Sequence, residues 1–111
     1  MKNPKFQIFA GNNDQFYFRL RAVNGEIVLT SEGYSTKQGC QNGIASVKKN
    51  VLQDQQYKRK ESKDGQFYFV LVAINGKTIG ISEMYSSKQS RDKGIAVVKE
   101  AAPEAEIEDE I

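Results

Sequence analysis

Few residues in this chain have the types and spacing that chemistry needs. There is no histidine, which removes the commonest general base near neutral pH and the commonest zinc ligand. A single cysteine, Cys40, cannot form a cysteine-cluster metal site or an internal disulfide. It falls in the first turns of a predicted helix, where a thiolate is favoured. It also lies in that helix's apolar stripe, so it reads as a core or boundary residue. Ser46-Val47-Lys48-Lys49 spells Ser-x-x-Lys, a nucleophile motif of some acyl-transfer enzymes, but the companion motifs are absent. Glu32 and Glu83 stand beside Tyr34 and Tyr85 and form a candidate carboxylate pair; hydrogen bonding at a strand end is the simpler account. No glycine-rich phosphate loop is present. The expectation is a protein that is not an enzyme and needs no cofactor or metal.

Binding chemistry is better represented. Tyr17, Arg19 and Arg21 alternate along one predicted strand, and Lys58 and Lys60 along another. A basic sheet face with aromatics suits a nucleic acid or another polyanion. The net charge of +2 hides a body of sixteen bases and nine acids, because five of the last eight residues are acidic. A second candidate is a protein contact made by Val70, Val72, Ile74, Ile79 and Ile81. These are expected to share the uncovered face of a hairpin in which Val72 pairs with Ile79 and Val70 with Ile81. Such a patch suits an unknown protein partner or weak self-association; without it the chain is a monomer. Steep weakening with salt separates polyanion binding from an apolar contact.

The elements that position these residues come in duplicate. Shifted by 51, the chain aligns on itself without a gap: "QFYFRLRAVNG" meets "QFYFVLVAING", and "SEGYSTKQGCQNGIASVK" meets "SEMYSSKQSRDKGIAVVK". The shift sets Arg91 opposite Cys40 and Val97 opposite Ser46, which argues further against a nucleophile at either place. Each copy opens with a strand (Phe6–Ala10, Tyr57–Glu61) and a polar turn. A hairpin follows, in which Phe16, Phe18, Leu20 and Ala22 alternate with polar or aromatic neighbours. Asn24-Gly25 and Asn75-Gly76 predict two-residue type I′ turns. That register places Ala22 against Ile27 and Leu20 against Leu29, and Thr78 and Gly80 on the buried face of the second copy.

Ser35-Thr36-Lys37-Gln38 and Ser86-Ser87-Lys88-Gln89 predict helix starts with capping boxes from Ser35 and Ser86. After them Cys40, Ile44, Val47 and Val51 recur at helical spacing, as do Ile95, Val98 and Ala102. Glycine in mid-helix costs about 1 kcal/mol against alanine. Its retention at both Gly43 and Gly94 points to close approach between helix and sheet.

The fold class is therefore α+β: tandem β(3)-α(-β) repeats, residues 1–53 and 54–111, forming one antiparallel sheet with two helices on one face. A unit of about 50 residues buries too little surface to be comfortable alone, so the halves are expected to be interdependent. The acidic "AEIEDEI" is a candidate last strand. Hydrophobic residues at 39% and charged residues at 27% of 111 suit a globular chain. No apolar run approaches the roughly 20 residues of a membrane span, and the first residues lack the apolar core of a signal peptide. The cytoplasm is the expected location.

The aromatic-rich "FYFRLRAVNGEI", with "TSEGYSTKQGCQNGIASVKKN", "SKDGQFYF" and "NGKTIGISEMYSSKQ", resembles the YegP-like family of small bacterial proteins, whose domain has no known function. The resemblance covers nearly the whole chain. It implies a β(3)-α-β motif used in tandem or as two subunits, with two motifs sharing one sheet and exchanging C-terminal strands. It implies no catalytic residues. Val70 and Val72 depart from the pattern, since the family more often has polar or basic residues there.

Overall fold

The computed structural model describes residues 3–111. Among them are seven strands: β1 (Lys5–Ala10), β2 (Phe16–Arg21), β3 (Ile27–Thr30), β4 (Tyr57–Glu61), β5 (Phe67–Val72), β6 (Thr78–Ile81) and β7 (Glu106–Asp109). The two α-helices are α1 (Lys37–Asn50) and α2 (Lys88–Ala101). The strands form one sheet in the order β4-β5-β6-β3-β2-β1-β7. The repeats thus lie side by side and meet at β3 and β6, where Thr30 pairs with Ile81. All neighbours are antiparallel except one. The acidic terminal strand β7 runs parallel to β1, from Lys5↔Glu106 to Ile8↔Asp109, so the sheet is mixed rather than wholly antiparallel.

Both helices cover one face. Ile44 and Val47 of α1 and Ile95 and Val98 of α2 share a single core with Phe6, Phe18, Leu20, Phe69 and Leu71. Each helix lies over strands of both repeats: α1 touches β2 and β6, and α2 touches β5 and β3. The mid-helix glycines are where this packing is tightest. A Cβ at Gly43 would stand 2.7 Å from Tyr34 Cζ, and one at Gly94 2.6 Å from Tyr85 Cζ. The tyrosine ring takes the space of the missing side chain, and a bridge to Phe16 at the start of β2 or Phe67 at the start of β5 holds its backbone.

The hairpin turns differ from the type I′ expectation. Gly25 and Gly76 take φ of +87° and +85°, but Asn24 and Asn75 do not take positive φ. Ala22 N–H donates to the Glu26 carbonyl and Gly25 N–H to the Ala22 carbonyl, both at 2.9 Å. The loop therefore has three residues, a type I turn closed by a left-handed glycine. The Asn24 side-chain oxygen accepts from Glu26 N–H at 3.0 Å, and Asn75 repeats this with Lys77. A bulge then restores the register: Arg21 pairs with Ile27 and Leu20 with Leu29, leaving Val28 over. Likewise Val72 pairs with Thr78 and Leu71 with Gly80, leaving Ile79 over. A bulge turns an extra side chain inward, so Val28 and Ile79 both join the core. The expected pairings of Ala22 with Ile27 and of Val72 with Ile79 fail for this reason, while Leu20 with Leu29 and Val70 with Ile81 hold.

The helix caps sit one residue later than the capping box predicts. Thr36 Oγ1 accepts from Gly39 N–H at 2.9 Å, and Ser87 Oγ from Ser90 N–H at 3.0 Å. The repeated Ser-Glu is structural as well. Phe18 N–H donates to Ser31 Oγ at 2.9 Å and the Ser31 hydroxyl donates to the Glu32 carbonyl at 2.8 Å. Ser82 does the same for Phe69. Glu32 and Glu83 extend outward, exposed.

Candidate interaction surface

The helices leave the other face of the sheet uncovered. Its middle row is Lys58–Val70–Ile81–Thr30–Arg19–Gln7–Glu108, one residue from every strand in sheet order. The row changes character halfway. On the β3-β2-β1-β7 side the polar groups satisfy one another. Gln7 Oε1 accepts from Arg19 Nε at 2.9 Å and Arg21 Nε at 2.7 Å, and Gln7 Nε2 donates to Glu108 at 2.9 Å. Arg19 also pairs with Glu110 at 3.2 Å and Lys5 with Glu108 at 3.1 Å. The Arg19 guanidinium lies 4.5 Å from the Phe9 ring centre. Tyr17 stacks on Phe9 with ring centres 5.6 Å apart, and its hydroxyl accepts from Asn13 at 2.9 Å. Tyr17, Arg19 and Arg21, three of the five polyanion candidates, are thus occupied within the chain, and the acidic tail supplies the anions.

On the β4-β5-β6 side, Lys58 and Lys60 are exposed and, among the described residues, form no ion pair or side-chain hydrogen bond. Tyr68 stands opposite Lys60. Between these groups the face is aliphatic.

The expected five-residue apolar patch is not assembled. Ile79 is 3% exposed in the core on the helix side, because the bulge reverses its direction. Val70 and Val72 do lie on the uncovered face, but the side chains of flanking strands leave them only 8% and 9% exposed. Ile81 is half-buried beside Val70. Ile74 is 80% exposed in the hairpin loop, beyond the end of β5. The face offers Val70, Val72 and Ile81 as a flat centre, with Lys58 and Lys60 beside it.

Behind β4 lies a charge cluster that single-residue reading missed. Arg59 pairs with Asp92 at 3.2 Å and Asp54 at 3.5 Å, and Lys99 with Asp54 at 3.1 Å. Arg91, mostly buried in the place of Cys40, reaches Asp92 at 3.3 Å. These side chains hold α2 to the edge strand. Hydrogen bonding and charge from Lys99 and Arg59 hold the Asp54 carboxyl below its ordinary range.

The remaining reactive groups are muted. Cys40 is fully buried, and burial, with Asp109 nearby, pushes its thiol up to about 11. Such a thiol is a poor nucleophile near neutral pH. Tyr57 donates to the Val51 carbonyl at 2.6 Å, and burial raises its hydroxyl. Burial also raises Tyr34 and Tyr85. No helix among the described residues is long and apolar enough to cross a membrane.

Comparison with known proteins agrees with this architecture. The chain matches the model of a domain of unknown function, DUF1508, twice, over residues 12–58 and 62–109. It is 48% identical over 102 residues to a UPF0339 protein from the ptx operon 5′ region of Stutzerimonas stutzeri, covering 92% of each chain. It is 47% identical over 94 residues to the UPF0339 protein YegP of Escherichia coli K12, covering 85% of this chain and 86% of that one. The solution structure of E. coli yegP, a protein of unknown function, superposes with a TM-score of 0.93 at 41% identity, over 99% of this chain and 95% of that chain. A UPF0339 protein from Shewanella oneidensis superposes at 0.90 with 42% identity, over 96% and 91%.

Proposed function

The chain belongs to the DUF1508 family, whose description assigns no activity, and we propose that it acts as a non-enzymatic interaction protein that contacts another protein through the β4-β5-β6 half of its sheet. The observation that carries this reading is the inequality of the uncovered face. One half is closed by Gln7, Arg19, Arg21 and the acidic tail. The other presents half-buried Ile81 over a floor of nearly buried Val70 and Val72, beside Lys58 and Lys60, with no carboxylate in the row and no ion pair on either lysine among the described residues. A flat apolar centre with a charged rim suits a modest protein contact. Nucleic acid is the weaker reading, since only Lys58 and Lys60 remain of its five candidates. We place the protein in the cytoplasm, on the ground that its lone buried cysteine serves no disulfide.

The test gives the second repeat the residues of the first. Val70→Arg with Val72→Arg puts long side chains on the uncovered face, where they reach water. Far-UV circular dichroism should be unchanged, and a protein retained from nuclease-treated lysate by the wild type should be lost. Equal retention by both, or retention that vanishes with nuclease, would reject the protein contact.

A further inference from the structure

The sheet has approximate two-fold order with one piece missing. β4-β5-β6 mirrors β1-β2-β3, and the outer pairs share one register under the 51-residue shift: Phe6↔Leu20 and Ile8↔Phe18 become Tyr57↔Leu71 and Arg59↔Phe69. β1 carries a further strand on its outer side, the acidic β7, and β4 carries none among the described residues. The reason lies in the chain path. After α2 a short turn at Ala102–Glu104 leads into β7. After α1 the segment in register with β7, residues 55–58, is already entering β4. The repeat that needs an eighth strand has spent that segment on its own first strand.

Resting on the interaction reading above, we propose that the open edge of β4 is a strand-acceptor site, which takes an extended acidic segment of another protein running parallel to β4 as β7 runs beside β1. The backbone of β4 is prepared for it. Glu110 N–H donates to the Ile8 carbonyl at 3.0 Å, and the carbonyl in the same register of β4 is that of Arg59. Of the four side chains that hold the tail, Lys37 and Gln7 have cationic counterparts, while Lys5 and Arg19 become Gln56 and Val70. Lys37 Nζ binds Asp109 at 2.8 Å; its counterpart Lys88, at the start of α2, is exposed and makes no ion pair among the described residues. Gln7 binds Glu108 at 2.9 Å; its counterpart is Lys58, likewise unpaired. Replacing glutamine by lysine at that place increases the preference for a carboxylate. Edge strands often carry lysines to prevent pairing, and whereas Arg59 is held by Asp92 and Asp54, the unpaired Lys58 and Lys60 do repel a second β4. The same charges attract a strand of opposite sign. A second copy's β7 is a poor donor, because Lys5, Gln7, Lys37 and Arg19 already hold it in its own chain.

The experiment uses the full chain and a synthetic peptide with the sequence of residues 105–111, alongside a control in which its acids are replaced by their amides. Isotope-edited NMR should show amide shifts in β4 and around Lys88. A spin label on the peptide's N-terminus should broaden Tyr57 before Glu61, as parallel pairing demands. Lys58→Glu with Lys88→Glu should weaken the peptide about tenfold or more, and the amide control should be weakened as much. The proposal is overturned if no shifts appear at millimolar peptide, if they appear in β1 through displacement of its own β7, or if the amide control binds equally. Broadening of β4 in concentrated protein without peptide would assign the edge to a second copy. Steeply salt-dependent shifts of these amides by a single-stranded oligonucleotide, with none from the peptide, would make it a polyanion surface. Both results also reject the proposal. If the peptide fails while Val70→Arg with Val72→Arg still loses its protein, the edge assignment falls and the face remains; the opposite pattern rejects the face alone.

Discussion

Residues 19 and 21 are arginine in the first repeat, and their counterparts 70 and 72 are valine, although both pairs sit at the same places in the same hairpin. The first repeat tolerates two guanidinium groups because the tail brings Glu110 to Arg19 directly and Glu108 to Gln7, whose oxygen accepts from both arginines. The second has no acidic strand beside it, and its outer face is aliphatic with unpaired lysines. At the boundary between repeats the difference is steric. Leu29 and Gly80 are counterparts, and a Cβ at Gly80 would lie 2.6 Å from Leu29 Cγ. Only one of the two positions can be large. Duplicated sequence therefore diverged where copies meet each other or meet the tail, and stayed the same where each copy folds on itself: Tyr34 with Gly43, Tyr85 with Gly94, and the two Ser-Glu strand exits.

Four changes test that contrast. Gly80→Leu, which makes the boundary symmetric, should have the largest effect, about 3 kcal/mol of lost stability, because the new side chain overlaps three atoms of the fully buried Leu29. Adding Leu29→Gly should recover part of it. Denaturant midpoints decide the matter, and a tolerated single change would mean that the repeats do not share this contact.

Gly43→Ala and Gly94→Ala come next. Each gains about 1 kcal/mol in helix propensity, yet each forces a Cβ into a tyrosine ring at a cost of about 1–3 kcal/mol, so a net loss of up to about 2 kcal/mol is expected. Similar losses would show that the repeats are equivalent here, whereas a gain in either would show that its tyrosine can leave.

The turn between the first two strands of each repeat gives a smaller effect. Asp14 has φ of +61° and its counterpart Gly65 +83°. Asp14→Gly should stabilise by about 0.5 kcal/mol and Gly65→Asp should cost about as much, since aspartate only tolerates this conformation. Thermal melts of the two reciprocal variants would show it.

Acid gives the smallest effect. Hydrogen bonds from Lys37 to Asp109, and from Gln7 and Lys5 to Glu108, hold both carboxyls below their ordinary values. A carboxyl depressed in the folded state stabilises it above the unfolded value, and that contribution disappears as pH falls through the folded one. Amide protection of β7 should persist above about pH 4.5 and decline below the ordinary carboxylate range, while β2 and β3 at the centre keep theirs. Unchanged protection in β7 would show that backbone pairing alone retains it.

Much of this was legible beforehand, and the misses have specific causes. Strand alternation, helical periodicity and the 51-residue repeat are local signals, and they placed the elements within a residue or two. Positive φ at Gly25 and Gly76 was expected from Asn-Gly and is observed. The turn type was misread because Asn-Gly also closes three-residue loops. One residue of slip there, cancelled by a bulge, moved Ile79 from the expected surface into the core. No pattern in the hairpin sequence announces a bulge; the need to fill space beneath two helices selects it.

What the sequence by itself determined is whatever depends on neighbours within about one turn or one strand: which segments are extended or helical, where they turn, and that two copies exist. Tertiary structure alone decided which cations are free. Arg19 and Arg21 read as a binding surface until the tail reached the edge of β1, where Glu110 pairs with Arg19 and Gln7 links both arginines to Glu108; of the cations read the same way, Lys58 and Lys60 stay unpaired among the described residues because no acidic strand lies beside β4. The physical reason is range. Backbone propensity and periodicity act between residues close in the chain, whereas charge pairing at 3 Å depends on where distant segments end up. Lys5 and Glu108, 103 residues apart, become neighbours only when the sheet is complete.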